Sequence, residues 1–480
     1  MFLTETDLIN AKITADRKIN ESDILKYIIN EDENSDKKRK MIEGERYYTY
    51  DHDICKNDFR QSRISESVTD DNGDESEKIT NFTNPNRSNH HNVNAFHRIL
   101  VDQKVGYIIG RKPVIRVNFD KEKDSEFEKA VDKFTSEDFN EVLQNLLTGA
   151  SNKGYEALHV YYDKNGKLKF CIVPAEEIIP IYDSRFETDL EQLIRYYDTI
   201  VIRNGHKYIR KRVEWWTKGN VTYYMEDDNH NFIYDESVDK NPCPHWWNVS
   251  LEDGFEKKRS ENNWNKVPFI ILKNNSRATT DLEAVKGLID AYDLLSSEAT
   301  NNLLDLVELY WVIQGYGGET AGAIAKKLQI NKAVNISDSS GNVEAKQTDI
   351  SMEGRLNYMK MLRKDIFQFG QGVDTDVDRL GSSTSGVTLK FQYTLLELKA
   401  AGVSVQLKKC INELLWYMIE DYNRKHKTNY STDMINVCLR RNAITNDYET
   451  VQMIQMSEGL ISDETLISNH PFVDEISKEK

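Results

Sequence analysis

Between residues 389 and 418, apolar side chains recur at three- and four-residue steps without a break: Leu389, Tyr393, Leu396, Ala400, Val403, Leu407, Ile411, Leu414 and Met418. This is the stripe of an amphipathic helix. At 1.5 Å of rise per residue, such a helix reaches on the order of 60 Å. A helix that long needs partners along its length, so the fold must be organised around it. A weaker stripe precedes it: Met352, Leu356, Met359, Leu362, Ile366 and Phe369. Between the two lies a seam from Gly370 to Gly386, rich in glycine, serine, threonine and aspartate. Asp374, Asp376 and Asp378 stand at its centre, with Arg379 as its one basic residue. The seam reads as an acidic loop presented by two helices.

The chain before Pro268 is β-rich, apart from helical patches, and is punctuated by prolines. No proline occurs between Pro268 and Pro471, which suits long helices. The division predicts an α+β protein. In the first part, the charged run Asp36 to Lys40 reads as a solvated helix face, and residues 68–78 as an exposed acidic loop. Phe96, Ile99/Leu100, Gln103 and Tyr107 follow helical spacing, with Gly110 and Pro113 as stop signals. Phe127 to Leu147 reads as one helix. From Glu156 the period changes to two, and Asp163-Lys164-Asn165-Gly166 marks a hairpin turn before Leu168. Further strands are expected around Ile194–Val201, Lys207–Trp216, Val221–Met225 and Ile435–Leu439. Thr280-Asp281-Leu282-Glu283 has capping-box spacing ahead of a helix striped by Leu282, Val285, Ile289, Tyr292, Leu295, Ala299, Leu303 and Leu306. An insertion follows, with a strand at Tyr310–Ile313, a short helix near 321–328 and a hairpin pairing 333–336 with 343–346.

At 480 residues, two to four domains are expected. The net charge of −16 opposes a protein that grips nucleic acid over its whole surface, because that binding depends on Lys and Arg. It does not oppose DNA passing close by without sticking. Five widely spaced cysteines, with no C-x-x-C pair, suit reduced thiols. No signal-peptide pattern and no bilayer-length apolar run occur, so a cytosolic product that leaves only inside a particle is expected. Gly315-Tyr316-Gly317-Gly318 lacks the following Gly-Lys-Ser/Thr of a phosphate-binding loop. The three aspartates of the seam mimic the start of a calcium loop. Arg379 and Ser385 occupy the positions that need Gly and Glu, so no EF-hand forms. A divalent site on these carboxylates stays open. No zinc pattern or nucleophile elbow occurs. Non-enzymatic, cofactor-free work is the expectation.

Seven segments, in order, carry a resemblance: Glu45 to Tyr48; Asn94 to Val114; Ala150 to Glu156; Pro174 to Asp183; Asn265 to Phe269; Asp281-Leu282-Glu283 with Leu288 to Asp293; and Ser385 to Phe391. Together they resemble the portal proteins of tailed bacteriophages. The resemblance implies a ring, typically of twelve subunits, at one capsid vertex of the virion, assembled in the host cytoplasm. It implies a mixed α/β wing over 1–275, stem helices at 276–307 and 350–369, and a small α/β clip at 308–349 inserted between them. A tunnel loop at 370–385, a long kinked wing helix and strand at 386–442 and a short helical crown at 443–480 complete the mapping. The ring would conduct double-stranded DNA in packaging and ejection. The clip, with Tyr316, Glu319, Lys332, Asp338, Glu344 and Lys346, would dock the terminase large subunit and then a head-tail adaptor. Major capsid and scaffolding proteins would be further partners, and no membrane is involved. An oligomeric structural adaptor without a DNA channel is the competing reading, and a nuclease or nucleotide enzyme a third that the absent motifs disfavour.

In that frame Gln371, Val373, Asp374, Thr375, Asp376, Val377, Asp378 and Arg379 would face the DNA. Carboxylates there repel phosphates and discourage contacts that stall sliding. Replacing Asp374, Asp376 and Asp378 together with alanine is therefore expected to alter the DNA packaged or retained per particle. Unchanged packaging and retention would remove the loop from this role.

Overall fold

The computed structural model describes residues 2–5, 7–8, 20–69, 75–84, 87–118, 125–183, 189–203, 205–252, 255–305, 309–314, 342–347, 352–375, 393–442, 447–468, 470 and 473. Two compact units are present. One comprises Met1–Thr49, His97–Ala284 and Phe367–Lys480, and the other Tyr50–Phe96 with Val285–Ile366. The architecture is mixed α+β, as the two halves of the sequence predict. Among the described residues the α-helices are α1 (Glu21–Glu33), α2 (Asp36–Tyr48), α3 (Phe96–Ile109), α4 (Ser125–Phe134), α5 (Glu137–Lys153), α6 (Lys286–Asp305), α7 (Met352–Phe369), α8 (Thr394–His426), α9 (Asp447–Met456) and α10 (Asp463–Ser468).

The first unit is built on α8, a single helix of 33 residues and so roughly 50 Å long. Its predicted stripe is buried: Leu396, Ala400, Val403, Leu407, Ile411, Leu414 and Met418 all lie in the core. Leu415, Tyr417 and Ile419 are buried as well, because α8 packs against more than one neighbour. Leu143, Leu146 and Leu147 of α5 and Leu158, Ile270 and Leu272 from a three-stranded sheet share this core. That sheet has the order Phe269–Lys273, Tyr155–Tyr162, Leu168–Val173. The predicted hairpin is its right half. The Asp163 carboxylate accepts the N–H groups of Asn165 and Lys167, each at 2.9 Å, closing the turn.

A larger sheet runs Leu3–Thr4, Ile178–Tyr182, Leu190–Arg203, His206–Trp216, Asn220–Glu226 and Phe232–Tyr234, with Cys243–Pro244 also pairing Asn220–Glu226. α1 buries Ile24, Leu25, Ile28 and Ile29 against its Ile179, Ile194, Val213 and Tyr224. The strand Ile435–Cys438 pairs antiparallel with Val114–Val117.

Several expectations need correction. Residues 127–147 form two helices. Thr135 ends α4 with its N–H and hydroxyl both on the Val131 carbonyl. Ser136 then takes an extended backbone and starts α5. Of the acidic stretch 68–78 the two ends are strand, since Gln61–Thr69 pairs antiparallel with Glu75–Thr83 from Gln61↔Thr83 to Thr69↔Glu75, and 70–74 lies outside the described residues. Alternation along those strands is masked by their polar composition. The strand Asn342–Gln347 pairs antiparallel with Leu309–Gln314, while its expected partner 333–336 lies outside the described residues. Within the Asp36–Lys40 run, Arg39 is solvated, yet Lys38 is buried, paired with Asp32 at 2.6 Å and donating to the Glu176 carbonyl. The stripes of α6 and α7 are only partly covered. Ile289, Leu362 and Ile366 are buried, while Leu303, Leu356 and Phe369 are more than half exposed.

In the second unit α6 lends polar side chains to an extended segment. The Asp293 carboxylate, fully buried, meets His52 Nδ1 at 2.6 Å and accepts two N–H groups from Asn94. Ser297 and Asn301 accept the backbone N–H groups of Asn92 and His90. Asn301 donates in turn to the His90 carbonyl at 3.0 Å.

The capping box forms as read: Glu283 accepts the Thr280 N–H at 2.9 Å, and Thr280 Oγ1 accepts that of Glu283. α2 and α5 approach so closely that a Cβ on Gly44 would lie 1.9 Å from the Asn152 carbonyl oxygen. Because that oxygen is backbone, it cannot swing aside. Gly44→Ala is expected to destabilise the chain by about 2 kcal/mol, despite the better helix propensity of alanine. A urea-unfolding midpoint equal to or above that of the parent would contradict this.

Candidate functional site

The acidic seam begins where α7 stops, and the described part of it, Gly370 to Thr375, is held firmly. The Gly372 N–H bonds back to the Phe367 carbonyl at 2.9 Å, closing the helix end. Gln371 takes the left-handed conformation, with φ of 57°, at a cost of about 1 kcal/mol for a residue with a Cβ. Gly372 then passes against α3, where a Cβ would lie 2.3 Å from Leu100 Cδ2. The next residue is clamped. The Gln103 carboxamide accepts the Val373 N–H at 3.0 Å and donates to the Val373 carbonyl at 2.8 Å. One side chain thereby stands in for a neighbouring strand, and Val373 is buried beside it.

Behind this foot lies a desolvated charge cluster. Lys104 Nζ, with no exposed surface, sits 2.5 Å from Asp281 Oδ2 and donates to Asn274 Oδ1 at 2.7 Å. Lys399 of α8 approaches the same carboxylate at 3.2 Å and donates to the Gly370 carbonyl at 3.1 Å. Asn274 Nδ2 donates to Asp281 Oδ1 at 3.0 Å. Burial raises the Asp281 carboxyl, but the two ammonium groups outweigh it and hold it far below the usual carboxylate range. Burial pushes the Lys104 ammonium down to about 8, against the pull of Asp281. A depressed lysine often marks catalysis. Lys104 is sealed from solvent and committed to Asp281 and Asn274, so its shift records structure instead. The backbone of α3 also carries His97, whose Nε2 lies 3.1 Å from Asn152 Oδ1. Desolvation lowers His97 to about 4.

Of the loop residues singled out in the sequence, Gln371, Val373, Asp374 and Thr375 fall on this foot. Asp376, Val377, Asp378 and Arg379 lie outside the described residues. Val373 faces the core, not a channel, which corrects its place among DNA-facing residues. Thr375 is exposed and Asp374 half-buried. Of the docking residues, Glu344 and Lys346 stand opposite Val312 and Tyr310 on the Asn342–Gln347 strand. Tyr316, Glu319, Lys332 and Asp338 lie outside the described residues. Gln103, Lys104, Asn274 and Lys399 were missed. Their only signal was the Gln103-Lys104 pair next to the apolar residues Ile99–Val101 and Val105 of α3. Among the described residues, no group of His, Cys, Asp or Glu is arranged to hold a metal ion, and no helix is long and apolar enough to cross a membrane.

Residues 25–480 match the family model described as phage portal protein, SPP1 Gp6-like. The portal protein of Bacillus phage SPP1 is 26% identical over 445 residues, covering 92% of this chain and 82% of that one. The portal protein of Clostridium phage phiCD119 is 29% identical over 465 residues, covering 92% and 91% respectively. A solved structure described as the neck of an empty GTA particle, computed with C6 symmetry, aligns with 78% of this chain and 88% of its own. Its TM-score is 0.40 at 10% identity, too loose to carry a conclusion.

Three histidines of the first unit share one protonation behaviour: desolvation lowers His97, His159 and His245 each to about 4. The unfolded chain takes up these protons from about pH 6.5, the folded chain only near 4. Stability is therefore complete above that window and falls as the pH drops through it, by roughly 3 kcal/mol for His97 alone. Glu156, raised by burial to about 7, works in the opposite direction. Urea midpoints measured from pH 7 to pH 4 should decline, and His97→Gln should flatten the decline. A pH-independent midpoint would refute the assignment.

Proposed function

The chain belongs to the phage portal protein family, SPP1 Gp6-like, and on that premise we propose that it forms a ring at one capsid vertex through which double-stranded DNA enters and leaves the head. The observation that carries this reading is the family match across residues 25–480, which leaves little of the chain for another task. In the proposed mapping, residues 1–275 form the wing, α6 and α7 the stem, 308–349 the clip, 370–385 the tunnel loop, α8 the wing spine and 443–480 the crown. Twelve subunits is the proposed count. The terminase large subunit, then a head-tail adaptor, would dock on the clip, while capsid and scaffolding proteins would hold the wing.

Physical features support the proposal. Leu303 and Leu304 on α6, and Leu356 and Met361 on α7, are 48–64% exposed. Exposed apolar positions without cover in one chain are the ones that neighbouring subunits would bury. The loop foot is pinned by Gln103 and Lys399, whereas the segment beyond it is rich in glycine, serine and aspartate. An anchored base with an acidic continuation can approach a duplex without adhering to its phosphates. The function asked of the chain is mechanical guidance, with chemical work left to the terminase.

Electron-microscope images of the purified full-length protein test the reading. Closed rings with an axial hole wide enough for duplex DNA, about 20 Å or more, are expected. Monomers, filaments or rings closed at the centre at micromolar concentration would overturn it.

A further inference from the structure

The strands Leu190–Arg203 and His206–Trp216 are much longer than their neighbours in the seven-stranded sheet. On one side the strand Ile178–Tyr182 pairs only as far as Ile178↔Arg195. On the other, Asn220–Glu226 pairs only as far as Met225↔Arg212. The hairpin itself continues through Asp198↔Lys211, Ile200↔Ile209 and Ile202↔Lys207 to Arg203↔His206. Six residues per strand therefore project beyond the sheet, roughly 20 Å of two-stranded ribbon.

An isolated two-stranded ribbon is marginal in water, because it has no second layer to cover either face. This one is also apolar where it should be polar. Ile200 is 58% exposed, Ile209 62%, Ile202 75% and Tyr208 42%. Ile200 and Ile209 are cross-strand partners, and Ile202 follows on the same face by the two-residue alternation. A free ribbon edge of this kind is an invitation to pair unless charge or cover prevents it. Over residues 196–211 the sequence carries four Lys or Arg against one Asp, in a chain whose net charge is −16. Arg210 pairs with Asp228 and Lys211 with Glu33 of the same chain, so the basic excess lies toward the tip, at Arg203 and Lys207. The ribbon is thus a basic, apolar-faced arm on an acidic protein, and another copy of the same chain is its electrostatic complement.

We infer that this arm docks on the adjacent copy of the chain in the ring, with Ile200, Ile202 and Ile209 as the buried anchor and the basic rim meeting acidic surface. The inference rests on the ring reading above. A cyclic assembly places an identical neighbour on each side of every subunit and requires a patch on one to meet a different patch on the next. Hot-spot behaviour is expected of the three isoleucines, with the flanking cations acting mainly on the rate and salt dependence of assembly.

Two measurements on the full-length protein decide it. In mass photometry, I200D/I202D/I209D is expected to raise the concentration for half-assembly at least tenfold. Its far-UV circular dichroism should match the parent, since these side chains are already exposed in the single chain. Separately, a photoreactive benzoylphenylalanine at position 202 is expected to form adducts with a second copy, seen as a doubled chain mass in denaturing gels. Unchanged assembly of the triple variant overturns the inference, as do adducts confined to the same chain. If the parent forms no ring at all, the ring reading fails, and the photo-adduct still decides whether the arm meets another copy.

Discussion

The first unit depends on one carboxylate shared by two ammonium groups. Asp281 stands just after the last strand of the small sheet, Lys104 in the middle of α3 and Lys399 near the start of α8. None of the three can leave without exposing a buried charge, and removing one partner of such an arrangement costs about 3–5 kcal/mol. Apolar residues of the same shape could hold these elements together as well. What a shared charge adds is register: a lysine displaced by one helical turn has no partner. The axial position of the long helix, and with it the start of the acidic loop, is therefore fixed by electrostatics more than by the interchangeable leucines along its stripe.

That fixed start gives the loop a defined origin. Lys399 holds the carbonyl of Gly370, and Gln103 holds both backbone groups of Val373. Three residues apart, these two grips act on backbone atoms, so they set where the loop begins whatever side chains follow. The buried charges work behind the foot and both grips close on backbone atoms, so anchoring the foot is a task apart from whatever the loop does beyond Thr375. Separating the two tasks lets the loop vary without unseating α8.

Much of the helical framework was legible in the sequence, since an α-helix states its burial every three or four residues. The stripe from Leu396 to Met418, the Thr280–Glu283 box and the Asn165-Gly166 turn all appear where local chemistry puts them. Local chemistry was insufficient wherever the partner is distant or backbone. Thr135 and Ser136 look like ordinary helix-surface residues until the chain must turn. In the strands at 61–69 and 75–83 the few apolar residues stand opposite polar ones, as in Ile64↔Thr80 and Ser65↔Ile79, so no alternation betrays them. Gln103 was read as a stripe position, though its partner is a backbone 270 residues away. Val373 was assigned to solvent-facing work from its neighbours in sequence, yet α3 covers it.

The polar face of α6 has a consequence of its own. Its Asp293, Ser297 and Asn301 supply an extended segment with the hydrogen bonds that a neighbouring strand would otherwise give. The helix serves as a surrogate sheet edge whose spacing is set by helical pitch, not by pleat. Helix and segment can therefore be inherited, transplanted or lost only together. A recombination point placed between them would leave the helix with polar groups facing nothing and the segment with backbone amides unbound. Viable chimaeras of this chain should keep their crossovers outside that pair.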